Sequence, residues 1–151
     1  SRKILLNIYK NLLCKKYKNP LEIMHLTESQ IKKMIEMGHY LGAHTHSHIS
    51  IAATELSSKD FFKEIIHPKN YLEQKFNIKV NSLSYPFGGK NDCLSTSELL
   101  KKTNEYDVAF TVKEIINTKI TSPYALGRYQ LTSTDNSLKL NNTIKKMLKE
   151  N

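Results

Sequence analysis

Three of the six histidines in the chain lie close together, at His44, His46 and His48. Neutral imidazole is the commonest metal ligand in proteins and the usual acid–base group near physiological pH. In an extended backbone all three side chains project to one side, whereas in a helical turn His44 and His48 share a face. Both geometries let His44 and His48 converge on one ion and leave other positions for carboxylate or water. The spacing therefore predicts a divalent-metal site with His44 and His48 as ligands, while His46 is either a third ligand or directed to solvent.

A second distinctive segment is Tyr-Pro-Phe-Gly at residues 85–88. It follows a run over 80–85 that reads as a strand, and the histidines follow another short predicted strand at 39–43. In parallel β/α folds, catalytic groups collect after the carboxyl ends of strands. We therefore expect the two segments to meet at one edge of a sheet.

The elements that must position these segments alternate between helix and strand. Strands separated by helices of about ten or more residues are typical of parallel β/α units. The predicted fold class is therefore α/β, in a single domain over residues 1–151. Helix starts are predicted at capping residues Thr27, Ser57, Ser95 and Asp135 or a neighbour of it. Pro68 either interrupts the second helix or starts a new segment. Further strands are predicted at 108–112 and 126–131.

The composition excludes several classes of protein. The net charge is +9, but the lysine doublets are spread along the chain and no nucleic-acid-binding motif accompanies them, so we predict no nucleic-acid partner. No stretch has the apolar length of a membrane span. The apolar N-terminal run is interrupted by Lys10 and lacks a cleavage site, which favours an amphipathic helix over a signal peptide. Cys14 and Cys93 have no metal or redox spacing, and two free thiols are favoured over one disulfide.

Residues 37–48 resemble the second motif of polysaccharide deacetylases (carbohydrate esterase family 4). That motif reads His-Ser/Thr-x-x-His after Gly-His-Glu-Ile-Gly, and it is matched here by His44, Thr45 and His48. Tyr40 and Leu41 replace the usual Glu and Ile. The resemblance assigns the metal to His44 and His48 and leaves His46 outside the ligand set.

Three further segments carry the same resemblance, in the order and spacing of the family. Residues 84–88 are similar to the third motif in its Tyr-Pro-Phe-Gly form, with Ser84 where many relatives have Arg. Residues 106–111 resemble a Gly-Tyr-x-x-Ala-Phe-Thr strand, with Glu105 in place of the Gly. Residues 124–128 resemble a late strand that carries an arginine, here Arg128. The matched region covers about residues 27–131.

The resemblance implies a distorted (β/α) barrel that hydrolyses an N-acetyl group from an acetylated polysaccharide. The metal would be zinc, with cobalt, manganese or nickel as alternatives, and it would polarise the acetyl carbonyl and activate water. The resemblance also implies that the Tyr85 N–H stabilises the oxyanion and that Pro86 and Phe87 line the substrate groove. Arg128 would orient a catalytic Asp, or else form a structural salt bridge.

Two parts of the family's machinery are not found in the sequence. One is Thr-Phe-Asp-Asp, which supplies the base and the third metal ligand, and the other is a C-terminal Leu-x-x-His, which supplies the general acid. A missing upstream strand, indicated by the start at Ser1, is favoured over a degenerate domain and over Asp92 as a substitute carboxylate. We therefore expect a barrel that is incomplete at its N-terminal strand, and a chain that by itself binds metal weakly and turns over little.

The sequence thus predicts a metal-dependent polysaccharide deacetylase, and the resemblance favours a cell-envelope or extracytoplasmic location. One alternative is a catalytically degenerate domain that binds carbohydrate or the cell envelope. Another is a metallohydrolase with a His-x-His pair of the metallo-β-lactamase or amidohydrolase type. The metallo-β-lactamase type also needs Asp-His directly after the pair, where this chain has Ile49-Ser50, so we rank this class lower.

Overall fold

The computed structural model describes residues 2–52 and 56–149 of the chain. The chain forms two compact units, Ser1–Tyr40 and Leu41–Asn151. The assignment of residues 1–151 to a single domain stays a prediction. None of the helices in the described residues has the length and apolar character that a membrane span requires.

The first unit is helical. Its last helix begins at the predicted capping box, where the Gln30 N–H donates to Thr27 Oγ1 and the Thr27 N–H donates to Gln30 Oε1. The chain leaves that helix through Gly38, whose φ of +88° suits glycine. The elements are α1 (Arg2–Ile8), a π-helical turn (Tyr9–Leu13), α2 (Cys14–Lys16), α3 (Pro20–Met24) and α4 (Glu28–Glu36).

The second unit alternates helices with short strands. Ser57 caps its first helix as predicted, because its side chain accepts from the Asp60 N–H. Pro68 is accommodated in the first turn of a new helical segment, where a proline N–H is not needed. The elements are α5 (Ser58–Phe61), a π-helical turn (Phe62–Ile66), α6 (His67–Phe76), β1 (Ser82–Ser84), α7 (Lys90–Thr103), β2 (Val108–Phe110), a 3-10 turn (Pro123–Ala125) and α8 (Ser137–Lys149).

One helix prediction needed correction, and another is confirmed. α7 begins at Lys90 rather than after Ser95, because the Asp92 carboxylate accepts from the Gly89 N–H at 3.1 Å and caps the helix earlier. α8 is capped by Asn136, the neighbour of Asp135, whose side-chain oxygen accepts from the Lys139 N–H at 2.9 Å.

Four chain segments lie side by side and parallel. β1 pairs with β2, with Leu83 opposite Ala109. Ala43 forms a parallel bridge to Leu83 on the other side of β1, and Phe110 forms one to Leu126. The predicted strands at 39–43 and 126–131 are thus reduced to single bridges. The α/β class is confirmed, and the described residues form a two-stranded parallel sheet with flanking bridges rather than a closed barrel.

The core of the second unit surrounds these segments. It is formed by residues from the strands and from the helices packed against them. The carboxyl ends of the parallel segments all point to one edge, which places residues 44–48 and 84–88 together with Arg128. The buried hydrophobic residues are Ala43, Ile51, Ile65, Val80, Leu83, Tyr85, Cys93, Leu100, Tyr106, Ala109 and Tyr124.

Candidate functional site

The histidine loop, residues 44–48, begins where the chain leaves its bridge to β1. The Ala43 N–H donates to the Ser82 carbonyl and the Ser84 N–H donates to the Ala43 carbonyl, each at 2.9 Å, so His44 emerges beside Ser84. Thr45 and His48 then adopt φ angles of +64° and +55°. Such left-handed angles are uncommon outside glycine and are unusual for a β-branched residue. The surrounding structure must therefore hold this loop in its shape.

Glu64 is the residue that holds it. The Glu64 carboxylate accepts from the Ser47 N–H at 2.8 Å, and its main-chain carbonyl accepts from the His46 N–H at 3.1 Å. The residue is only 4% exposed and lies in the π-helical turn Phe62–Ile66. Buried carboxylates need such donors, and π-helical turns often occur near functional sites. Glu64 was not predicted as a site residue, and its only signal in the sequence was a carboxylate next to the apolar Ile65.

His44 and His48 form a pair. The His44 Nδ1 lies 2.8 Å from the Ser84 carbonyl oxygen. Because a carbonyl only accepts, Nδ1 carries the proton and Nε2 presents its lone pair, which is the usual arrangement of a metal-binding histidine. The two ring centroids are 4.9 Å apart. Two imidazoles bound to one tetrahedral ion through nitrogens about 2 Å from it have ring centres roughly 5 Å apart, so the spacing of the two rings is compatible with two ligands of one divalent metal.

A third ligand is not seen beside this pair. Within residues 2–52 and 56–149, no group of three or more His, Cys, Asp or Glu side chains gathers in a metal-binding arrangement. The His46 ring packs edge-on against His67, with centroids 5.7 Å apart. Asp92 does not substitute for the missing carboxylate, since one of its oxygens accepts from the Gly89 N–H and the other from the Ser50 hydroxyl.

The aromatic loop, residues 85–88, begins with a buried anchor. Tyr85 is 1% exposed, its hydroxyl donates to the Tyr124 carbonyl at 2.8 Å, and burial raises the pKa of that hydroxyl. The Tyr85 N–H donates to the Phe110 carbonyl at 3.0 Å. That N–H is therefore engaged in the strand pairing and does not face an oxyanion. The catalytic role predicted for Tyr85 needs correction, because the residue supports the loop from within the core.

The exposed part of the aromatic loop is Phe87. Its ring lies 5.2 Å from the His48 ring, and its φ is +61°. No group in the described part of the chain accepts a hydrogen bond from its N–H. Pro86 is fully buried, so the substrate contact predicted for it needs correction. Of the two residues predicted to line the groove, Phe87 is the exposed one. At Gly88, φ is +68° and a Cβ would lie 2.9 Å from the Val112 nitrogen, which favours glycine.

Arg128 is brought to the same place by Ser84. Its Nη1 donates to the Ser84 hydroxyl at 2.7 Å. Ser84 therefore joins two predicted site residues, since its carbonyl accepts from His44 and its hydroxyl accepts from Arg128. Across the described ranges no carboxylate pairs with Arg128, so the structural salt bridge considered for it is not seen. The remaining guanidinium N–H groups are available to an anion.

Thus the structure brings together His44, His48, Phe87 and Arg128. It places Tyr85 and Pro86 beneath them in the core. The roles of Ser84, Glu64 and the Phe87 N–H were not predicted from the sequence.

The two cysteines are free thiols, with Cys14 exposed and Cys93 buried.

The polysaccharide deacetylase family profile matches residues 11–112. The match covers more than half of the chain, and the chain belongs to the polysaccharide deacetylase family. No curated protein gives a significant match to the sequence.

Solved structures with this fold include three bacterial deacetylases. A Bacillus anthracis protein described as a polysaccharide deacetylase shares 24% identity over 79% of this chain and 36% of its own, with a TM-score of 0.66. The Streptococcus pyogenes deacetylase PplD, solved with acetate, shares 21% over 79% of this chain and 50% of its own, with a TM-score of 0.65. A Bacillus cereus polysaccharide deacetylase shares 24% identity over 79% of this chain and 36% of its own, with a TM-score of 0.65. The chain therefore spans between about a third and a half of the length of these proteins.

Proposed function

We propose that the protein is a metal-dependent hydrolase that removes N-acetyl groups from an acetylated amino-sugar polysaccharide. The observation that carries the proposal is the His44–His48 pair, with His44 Nδ1 donating to the Ser84 carbonyl and the two rings 4.9 Å apart. Family membership and the fold shared with solved deacetylases support it. We further propose that the parallel segments belong to a distorted (β/α) barrel and that the enzyme acts at the cell envelope.

His44 and His48 would hold the metal, with zinc favoured and cobalt, manganese or nickel as alternatives. When bound, the metal supplies Lewis acidity and lowers the pKa of its water. The Ser84 carbonyl fixes the tautomer of His44 and leaves Nε2 unprotonated. One carboxylate must complete the ligand set and a second must act as base, and without the first we expect weak metal binding.

The remaining roles belong to Phe87 and Arg128. The Phe87 N–H has no partner in the described residues and lies in the loop that contacts His48, so we assign it as the donor to the oxyanion. Its exposed ring would form a wall of the substrate groove. Arg128, held by Ser84, is assigned to orient the base carboxylate through its free N–H groups.

The absence of a third ligand around the pair in the described residues favours one other function, a carbohydrate-binding domain without turnover. The two functions differ in acetate release from N-acetylglucosamine oligomers, measured with the full-length gene product and added Zn²⁺ or Co²⁺. The deacetylase proposal predicts release that is lost in His44→Ala and His48→Ala and kept in the control His25→Ala. Oligomer binding without acetate release under any of these metals supports the binding domain instead.

Metal binding is measured separately by titrating Zn²⁺ calorimetrically into the same variants. We expect His44→Ala and His48→Ala to abolish the binding that wild type and His25→Ala show. Equal Zn²⁺ affinity in all four proteins would show that the ligand assignment is wrong.

A further inference from the structure

Next to the His44–His48 pair, a cavity of about 320 Å³ opens between the histidine loop and the start of α6. It lies on the side of the loop where His46 meets His67. His44 lines it as well, so the cavity adjoins the proposed metal pair. Its other lining residues include Thr45, Pro68, Tyr71 and Leu72.

The polar groups of this cavity have unused hydrogen-bonding capacity. Thr45 Oγ1 is buried and has no hydrogen-bond partner. The imidazoles of His46 and His67 meet edge-on, and neither forms a hydrogen bond with a described residue. Buried polar groups in native proteins are nearly always partnered, by protein, water or a bound molecule. Thr45 Oγ1 therefore lacks the partner that such a group normally has, and the exposed imidazoles of His46 and His67 offer further donors and acceptors to a ligand.

The rest of the wall is mostly apolar. Pro68 and Leu72 supply aliphatic surface, and the Tyr71 ring is 52% exposed. No Asp, Glu, Lys or Arg lines the cavity. A cationic ligand would find no carboxylate there, and an anionic ligand would find no Lys or Arg. The lining instead suits a neutral molecule with apolar faces and several hydroxyl groups, which describes a pyranose ring.

We propose that this cavity is a sugar-binding subsite, which holds the unit next to the one whose acetyl group is removed. The proposal rests on the proposed function, because a polymer whose reacting unit lies at His44 and His48 must place a neighbouring unit beside them. His46 and His67 bind sugar hydroxyl groups, the Thr45 hydroxyl gains its missing partner, and Tyr71 stacks on the ring. His46 is then a substrate-binding residue rather than a metal ligand.

The test uses an oligomer of five N-acetylglucosamine units, with binding measured by saturation-transfer NMR and hydrolysis by acetate release. We expect His67→Ala and Tyr71→Ala each to weaken pentamer binding and raise the pentamer KM about tenfold, the effect of losing one to two good contacts. Zn²⁺ affinity should stay unchanged, because neither residue is a proposed metal ligand. Tyr17→Ala, an aromatic deletion in the first unit, is the control and should match wild type.

Several results overturn the subsite, and they differ from failure of the deacetylase proposal. Unchanged pentamer binding in both variants, or no pentamer binding by wild type, overturns it even if acetate release depends on His44. Loss of Zn²⁺ binding in His67→Ala without loss of pentamer binding shows a second metal site and also overturns it. Pentamer binding that is weakened in both variants, in a protein that releases no acetate, supports the subsite and rejects the hydrolase.

Discussion

The histidine loop and the aromatic loop meet at His48 and Phe87 but are supported in different ways. Each contains non-glycine residues at positive φ, whereas the other such residues, Asn77 and Asn104, end helices, where that conformation is ordinary. Besides the main-chain bond from His46 to the Glu64 carbonyl, the histidine loop depends on one buried side chain, the Glu64 carboxylate. The aromatic loop is held by main-chain bonds to its neighbours and by the buried Tyr85.

This difference predicts that substitutions in the two loops have different effects. A loop held by one side chain can lose its shape while the core stays intact. A loop that begins with a buried core residue cannot be truncated at that residue without loss of global stability, since the truncation leaves a cavity in the core. Changes at Glu64 should therefore affect the metal site, and changes at Tyr85 should affect folding.

The largest effect is expected for Tyr85→Ala. The side chain is 1% exposed, so its removal should lower the free energy of unfolding by about 3–5 kcal/mol. Urea unfolding followed by circular dichroism measures it. Phe87→Ala, in the same loop but with an exposed ring, is the control and should change stability by less than about 1 kcal/mol. Equal losses in the two variants would remove the distinction between anchor and exposed loop.

The second prediction concerns the histidine loop. Glu64→Ala leaves the Ser47 N–H without its acceptor, so the loop should relax and Zn²⁺ affinity should fall about 10–100-fold, as for other groups that orient metal ligands. Glu64→Gln keeps an acceptor oxygen and should recover most of the affinity. Calorimetric titration and the absorption spectrum of bound Co²⁺ report the effect.

The matched control for Glu64 is Tyr106→Phe. The Tyr106 hydroxyl donates to the carbonyl of Ile65, in the same π-helical turn, at 2.6 Å. That variant should lose stability through a buried hydrogen bond and keep its Zn²⁺ affinity. If it loses affinity as Glu64→Ala does, then Glu64 acts through general stability and not by holding the loop.

The third prediction is the response to alkaline pH. Burial raises the pKa of the Tyr85 hydroxyl above its ordinary value, so the folded chain retains a proton that the unfolded chain releases. The stabilisation is fully present below the unfolded pKa and is lost as pH rises above it, by about 1.4 kcal/mol per pH unit. Burial raises the pKa of Tyr106 in the same way.

Unfolding free energies measured on both sides of the ordinary tyrosine pKa check this. Tyr85→Phe and Tyr106→Phe should each flatten the alkaline decline, and the double variant should flatten it most. A slope that is the same in wild type and the double variant would contradict the assignment to these two hydroxyls.

The sequence predicted that His44 and His48 lie together, because the two residues are four apart in one short segment and local geometry alone allows them to converge. It also predicted parallel β/α units and the capping residues Thr27 and Ser57, whose contacts are local. Local patterns of this kind need no knowledge of the tertiary fold.

What the sequence could not supply depends on contacts distant in the chain. Ser84 contacts Arg128 across 44 residues and His44 across 40, and no periodicity indicates either pairing. The resemblance implied an oxyanion donor at Tyr85. The main-chain bond from Tyr85 to Phe110, which engages that N–H, forms only when β1 and β2 pair. The buried role of Glu64 likewise depends on a helical turn reaching the loop from 17 residues away.

The smallest effect is expected for Ser84, which contacts both His44 and Arg128. Ser84→Ala removes the hydroxyl that accepts from Arg128 and keeps the carbonyl that accepts from His44. Zn²⁺ affinity should therefore stay at the wild-type value. Acetate release should fall by about two- to tenfold in kcat/KM, the range expected for one hydrogen bond of about 0.5–1.5 kcal/mol.

Arg128→Ala should reduce kcat/KM further than Ser84→Ala, and the double variant should be no worse than Arg128→Ala alone, because the hydroxyl acts only through the guanidinium. Additive losses would mean that Ser84 touches the substrate itself. A loss of Zn²⁺ affinity in Ser84→Ala would mean that the hydroxyl also supports His44. In that case the support of the metal pair extends beyond Glu64 and reaches across both loops.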